Sequence, residues 1–295
     1  MLSAASSSFP RRLALVLGSG GVRSIAALGI AERLAREGIR PDLVVGCSSG
    51  ALFGAQVAQG LHGEEAVRMA TTLWSAELTQ QRRWRAYLQL VAPKLAGFGE
   101  GFALRDDRLI AERIGNAFGD THLEHLPTPL RVAATDAATG QAVVLTQGRL
   151  VDALRASMAV PILFPSVAIG GRRLVDGVLS DPLPLAAAAD ARVVLSLGFF
   201  GGLPRRVDRV SRLVAQTSTT LINNLMQART EAAQARGQKL IGLELDLERP
   251  VGLWETAAMP ALFEAGWRAA EARLLDIVAA LEAAQAPERE LTFIE

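Results

Sequence analysis

The stretch VVGCSSGALFGA, residues 44–55, sets one serine, Ser48, between Gly46 and Gly50 where an apolar run gives way to helix-type sequence. A hydroxyl held there can attack a carbonyl. A sharp strand-to-helix turn exposes the side chain, and the flanking glycines leave room where the two backbones approach. The first amides of a helix lack acceptors within it, and they favour the negative charge that develops on an attacking serine. The other reading of these residues is a glycine-rich turn whose Ser48 merely caps the helix. A serine nucleophile also needs a base. The chain has three histidines, His62, His122 and His125, and none follows residue 125. An α/β-hydrolase needs its histidine late, after serine and acid, so that triad has no residue for its last place.

A second stretch with chemistry is LALVLGSGGVRS, residues 13–24. Consecutive glycines let several amide hydrogens converge on one point, and a helix start with Arg23 adds positive potential. Ser19, Gly20, Gly21 and Arg23 are therefore expected to form an oxyanion hole. Two nucleotide readings fail on residue type. A P-loop needs a closing GK[ST], which is absent, and the fingerprint GxGxxG needs glycine at position 23, where arginine stands.

Positioning these residues requires strands and helices in alternation. Short β-type runs at 13–17, 42–46, 130–136, 142–147 and 192–198 are separated by helix-type runs, which predicts an α/β fold: three α/β/α layers around a mostly parallel sheet. Between Ser24 and Glu37, Ile25, Leu28, Ala31 and Leu34 recur every three positions and Gly38 stands where a helix stop belongs, so this is a helix. Residues 49–59 read as a second helix ended by Gly60, and residues 207–235 and 256–284 as longer ones. The segment 80–101 breaks the rhythm and mixes arginine with aromatics, as an inserted lid or an interfacial surface does. Its Arg82–Tyr87 portion, 82–87, reads either as a peripheral membrane contact or as a solvated helix face.

Composition sets the bounds. In 295 residues, half are hydrophobic and 5% aromatic, enough for a substantial core. One domain spanning 1–295 is expected, with a motif-bearing part at 13–198 and a helical part at 205–290. The formal charge of +1 provides no field toward nucleic acid. One cysteine, Cys47, excludes an internal disulfide and suits a reducing compartment. The His122/His125 spacing alone does not make a metal site; neither metal nor cofactor is expected. MLSAASSSFPRR lacks a signal peptide's apolar centre, and no run is long enough to span a bilayer, so a cytoplasmic protein is expected.

Taken together, GSGGVRS and GCSSG, about 25 residues apart, resemble the opening of the patatin-like phospholipase family. Residues 156–184, ASMAVPILFPSVAIGGRRLVDGVLSDPLP, resemble that family's block ending in Asp-Gly and Pro-x-Pro, and AATDAATGQAVVL at 133–145 resembles its Thr-Asp strand and hairpin. The resemblance implies a Ser-Asp dyad of Ser48 and Asp176. It also implies the patatin-like fold and a lipid or small acyl ester as substrate. Three positions depart from the pattern: Ser24 for a loop glycine, Ser166 for the second proline of FPP, and Val178 for a small residue after Asp-Gly. Asp42, Asp107, Asp136, Asp152 and Asp181 are other carboxylates, but only Asp176 sits in the matching setting. These departures keep a silent scaffold that binds lipid or protein as the alternative to an ester hydrolase. A thioesterase or acyltransferase would use the same dyad.

Overall fold

The computed structural model describes residues 11–203 and 206–285; residues 1–10, read above as lacking a leader, and 286–290 of the helical part lie outside them. The strands are β1 (Arg11–Leu17), β2 (Leu43–Cys47), β3 (Leu130–Asp136), β4 (Ala142–Leu145), β5 (Val167–Ile169), β6 (Arg172–Asp176), β7 (Ala191–Leu197) and β8 (Lys239–Gly242). The helices are α1 (Ala26–Arg36), α2 (Ser49–Ala58), α3 (Gly63–Leu73), α4 (Trp84–Val91), α5 (Pro93–Ala96) and α6 (Arg108–Phe118), then α7 (Leu150–Ser157), α8 (Val210–Ala235), α9 (Met259–Ala272) and α10 (Leu274–Gln285). The parallel part of the sheet runs β8-β7-β1-β2-β3, while β4, β5 and β6 join by antiparallel pairing.

β1 shows how the residues make layers. Side chains alternate along a strand, so Leu13, Leu15 and Leu17 enter one core with α1, α2 and α9, while Ala14 and Val16 enter another with Met226 and Ala233 of α8. Helices thus cover both faces, as the α/β/α expectation requires. α9 crosses α1 at a backbone distance set by two glycines. A Cβ on Gly29 would stand 2.0 Å from Phe263 O, and one on Gly266 2.0 Å from Ala26 O.

The strand that builds the site is β3. Its first four residues pair with β2 in parallel, ending with Cys47 opposite Ala133. Its last three pair with β6 in the opposite sense, starting with Asp176 opposite Ala134. β4 pairs with residues 132–135 of β3, overlapping both partners, and a strand has only two edges. β2 and β6 therefore share the remaining edge and meet C-terminus to C-terminus. Residue 48 follows the end of one, and residue 176 is the end of the other.

Differences from the sequence reading have simple causes. The stretch 256–284 is two helices, broken at Arg273, because periodicity continues across a turn that redirects the chain. Ahead of α1 the chain makes a 3-10 turn over Gly21–Ile25. β5, β6 and β8 have three to five residues each, too short for alternation to stand out. Gly38 and Gly60 do end their helices, with φ of 70° and 80°.

Candidate active site

Ser48 leaves β2 and enters α2 with φ 55° and ψ −126°, a strained conformation for a residue with a Cβ. Both neighbouring glycines are sterically required. A Cβ on Gly46 would lie 2.4 Å from Ala51 Cα, and one on Gly50 would lie 2.4 Å from Leu17 O. Gly50→Ala is expected to cost about 1–3 kcal/mol of stability by overpacking, read as a lower thermal midpoint, with the Ser48 turn displaced.

The helix-cap reading of Ser48 is not what the side chain does. It makes no capping bond to α2; Ser48 Oγ donates instead to Asp176 Oδ2 at 2.7 Å. The Ser48 amide donates to Ser157 Oγ (2.7 Å), and that hydroxyl donates to Ala133 O (2.6 Å). Ser157, at the end of α7, thereby pins the turn to β3.

Asp176 is fully buried. Its Oδ1 accepts the Val178 amide at 2.8 Å, so one oxygen builds the Asp-Gly turn and the other faces the serine. Thr135 Oγ1 donates to its main-chain carbonyl at 2.8 Å. Burial pushes the carboxyl from its ordinary 3.8 up to about 7, against the pull of the Ser48 and Val178 hydrogen bonds. The other carboxylates do structural work. Asp42 accepts the amides of Arg12 and Leu13, Asp136 those of Ala138 and Thr139. Asp107 and Asp152 pair with Arg155, and Asp181 with Arg229 at 3.1 Å.

In the glycine loop most amides already have acceptors. Gly18 donates to Leu197 O, Ser19 to Pro182 O and Val22 to Leu253 O. Gly20 donates to Ser49 Oγ at 3.2 Å, and Ser49 Oγ also meets Ser24 Oγ at 2.9 Å. Ser24 is thus a tie between loop and nucleophile turn rather than a helix cap. Among the described residues, the Gly21 amide alone from Gly18 to Val22 has no acceptor. Gly21 has φ +62°, and a Cβ there would meet Leu253 O at 2.7 Å. Arg23 Nε donates to Gly20 O at 3.0 Å, and its guanidinium lies 4.9 Å from the Phe199 ring centre. Of the residues expected at an oxyanion hole, Ser19 and Gly20 thus spend their amides on Pro182 O and Ser49 Oγ, and the Gly21 amide is left without an acceptor beside Arg23.

Ser48, Asp176, Ser19, Gly20, Gly21 and Arg23 all line one cavity of about 290 Å³. Its other walls are mostly apolar, with Trp74, Trp254, Phe199, Val160, Val178 and Ile222, and Thr219 and Asn223 of α8 add polar groups. Trp74 and Trp254 stack with ring centres 4.6 Å apart. Sequence reasoning placed Val178 beside the dyad but missed the Trp74, Trp254 and Phe199 walls and the α8 residues Thr219, Ile222 and Asn223, which arrive from distant segments with no motif around them; Ser49 and Ser157 lie inside motif blocks whose spacing does not reveal their contacts. A larger hollow of about 690 Å³ beside Trp267 holds no comparable serine-carboxylate pair. His122 and His125 stack on each other on the surface, and among the described residues no cluster of three metal-ligating side chains occurs.

The patatin-like phospholipase profile matches residues 15–189. The chain belongs to that family. Within it, an NTE family protein of Mycobacterium tuberculosis is 34% identical over 186 residues, covering 63% of this chain and 48% of the relative. Patatin-like phospholipase domain-containing protein 7 of Rattus norvegicus is 32% identical over 190 residues, covering 63% of this chain and 13% of the relative. The match spans about half the length of the mycobacterial relatives at 34% identity and under a third of those at 31%. Among solved structures, VipD from Legionella pneumophila aligns over 93% of this chain and 67% of its own at 14% identity, with a TM-score of 0.47.

Proposed function

We propose that this protein is a lipolytic serine hydrolase that cleaves carboxylic esters through an acyl-enzyme, with Ser48 as nucleophile and Asp176 as its base. Ser48 Oγ attacks the ester carbonyl as its proton passes to Asp176 Oδ2, and the tetrahedral oxyanion meets the Gly21 amide. The carbon–oxygen bond to the leaving group then breaks, and Asp176 returns the proton to that alcohol. In the second half, Asp176 takes a proton from water, the hydroxide attacks the acyl-enzyme, and Ser48 leaves with the proton restored.

The observation that carries this reading is the 2.7 Å contact between Ser48 Oγ and Asp176 Oδ2 at the floor of an apolar cavity. Burial matters chemically as well. An ordinary aspartate is too weak a base for a serine hydroxyl, whereas a carboxyl raised to about 7 is matched to neutral pH. The cavity volume lies at the small end of ligand sites, which suits one acyl chain and its ester. Lysophospholipids and single-chain esters are therefore favoured over diacyl lipids.

A fluorophosphonate probe tests the assignment. The wild-type protein is expected to label covalently, and Ser48→Ala not at all. A folded wild-type protein that never labels would instead support the silent scaffold. Profiling p-nitrophenyl esters, thioesters and lysophospholipids separates hydrolase from thioesterase or acyltransferase.

A further inference from the structure

Across residues 80–101 only Ala86 is buried, so α4 and α5 stand off the body as a hairpin. Trp84, Leu88, Val91, Leu95 and Phe98 are all exposed, Val91 at 85% and Leu95 at 93%. Clustered apolar side chains of this kind mark an interaction surface. Interleaved with them are Arg82, Arg83, Arg85 and Lys94, against a single acid, Glu100, which is itself paired with Arg173 at 2.7 Å. Among the described residues, no ion pair involves Arg82, Arg85 or Lys94. This concentration of positive charge belongs to a chain whose formal net charge is only +1.

We propose that the α4–α5 hairpin docks on an anionic phospholipid bilayer. A bilayer meets both demands of the surface at once, since its interior takes the apolar side chains and its phosphates take the cations. A second copy does not, because facing hairpins would oppose like charges. No described helix is long and apolar enough to cross a membrane, so the contact is with one leaflet. The hairpin is also wired to the cavity. The chain returning from it donates from Leu104 N to Ile162 O (2.8 Å) and from Arg105 N to Leu163 O (2.9 Å). Ile162, a β-branched residue at φ 70°, is held exposed there. Phe102, Ile162 and Leu179 line one hollow, and Val160 and Val178, two residues and one residue away, line the catalytic cavity. The hairpin base and the catalytic cavity thus draw on the same two chain segments, 160–162 and 178–179. The docking claim stands apart from the hydrolase reading.

Vesicle cosedimentation in the Ser48→Ala background tests docking without turnover. Binding to phosphatidylcholine vesicles containing phosphatidylglycerol is expected to exceed binding to pure phosphatidylcholine by more than tenfold and to weaken with salt. Arg82→Glu with Arg85→Glu, and separately Val91→Asp with Leu95→Asp, are each expected to weaken it more than tenfold. In the Ser48-intact protein, hydrolysis of a water-soluble short-chain ester should remain within twofold for both variants, which excludes misfolding. A tryptophan blue shift on anionic vesicles, absent in Trp84→Phe, would place the hairpin in the interface. No preference for anionic vesicles, or binding unchanged by both double variants, overturns the proposal. So does light scattering that shows a dimer dissolved by these variants while vesicle binding persists.

Discussion

Asp176→Asn is expected to lose at least ~10³-fold in kcat/KM, in line with the contribution of a positioned general base, and yet to melt at a higher temperature than the wild type. Both effects come from burial. The carboxylate is wholly enclosed, receives the Ser48 hydroxyl, the Val178 amide and a long contact from the Cys47 thiol at 4.0 Å, and has its pKa raised to about 7. A rise from 3.8 to about 7 corresponds to a preference for the neutral form of about 4 kcal/mol. An amide of the same shape keeps the geometry: its oxygen accepts the Val178 amide and its NH2 donates to Ser48 Oγ. What it lacks is a site for the proton of Ser48.

The sign of the pH dependence follows. Between the unfolded value near 3.8 and the folded value of about 7, the native wild type holds a proton that the unfolded chain has released. Its stability is therefore fully present at low pH and is lost as pH rises through about 7. Asp181, raised to about 6 by burial against the pull of Arg229, adds a change of the same sign. Because Asp181 is unchanged in Asp176→Asn, the difference between variant and wild type isolates Asp176. The variant should be more stable by on the order of 2–4 kcal/mol at pH 8, with the gap narrowing as pH falls below about 7 and closing near 3.8. Catalysis runs the opposite way. Log kcat/KM of the wild type should climb with unit slope to about pH 7 and then level. A pH-independent rate between 5 and 8 would contradict the base assignment.

How much of this was legible in the sequence depended on whether neighbours in space were also neighbours along the chain. The Ser48 turn was legible because Gly46 and Gly50, which the backbone crowding demands, lie two residues to either side of it. Asp176 was legible only through its resemblance to a known block, since nothing in the spacing indicates that β2 and β6 share one edge of β3. Ser157 gave no signal of its own. It acts through a hydrogen bond to an amide 109 residues away, and serine in a helix end has many commoner uses. The departure at Ser24 is understood only in three dimensions, where its hydroxyl joins Ser49 across the loop. Val178, the other departure near the dyad, supplies a backbone donor to Asp176 and an apolar wall to the cavity; the first role is indifferent to side chain, so only the second changes with the substitution.

Gly21→Leu is expected to reduce kcat by ~10²–10³-fold, the loss that accompanies removal of one oxyanion donor. Two independent features act against any side chain there. The backbone sits at φ +62°, and the added Cβ meets Leu253 O at 2.7 Å. That carbonyl is already fixed by the Val22 amide at 2.9 Å and by Trp74 Nε1 at 3.3 Å, so it cannot retreat without loosening the stacked Trp74–Trp254 wall. The loop must move instead, carrying the Gly21 amide away from the carbon above Ser48. Fluorophosphonate labelling should slow in parallel, because the phosphonyl oxygen needs the same donor. Gly38→Ala separates strain from chemistry: Gly38 has φ +70° with nothing within 4 Å of an added Cβ, so it should lose roughly 1 kcal/mol of stability with unchanged kcat. If Gly21→Leu also turns over within threefold of wild type, then the amide at position 21 does not hold the oxyanion, and the charge developing above Ser48 must be met by the first amides of α2.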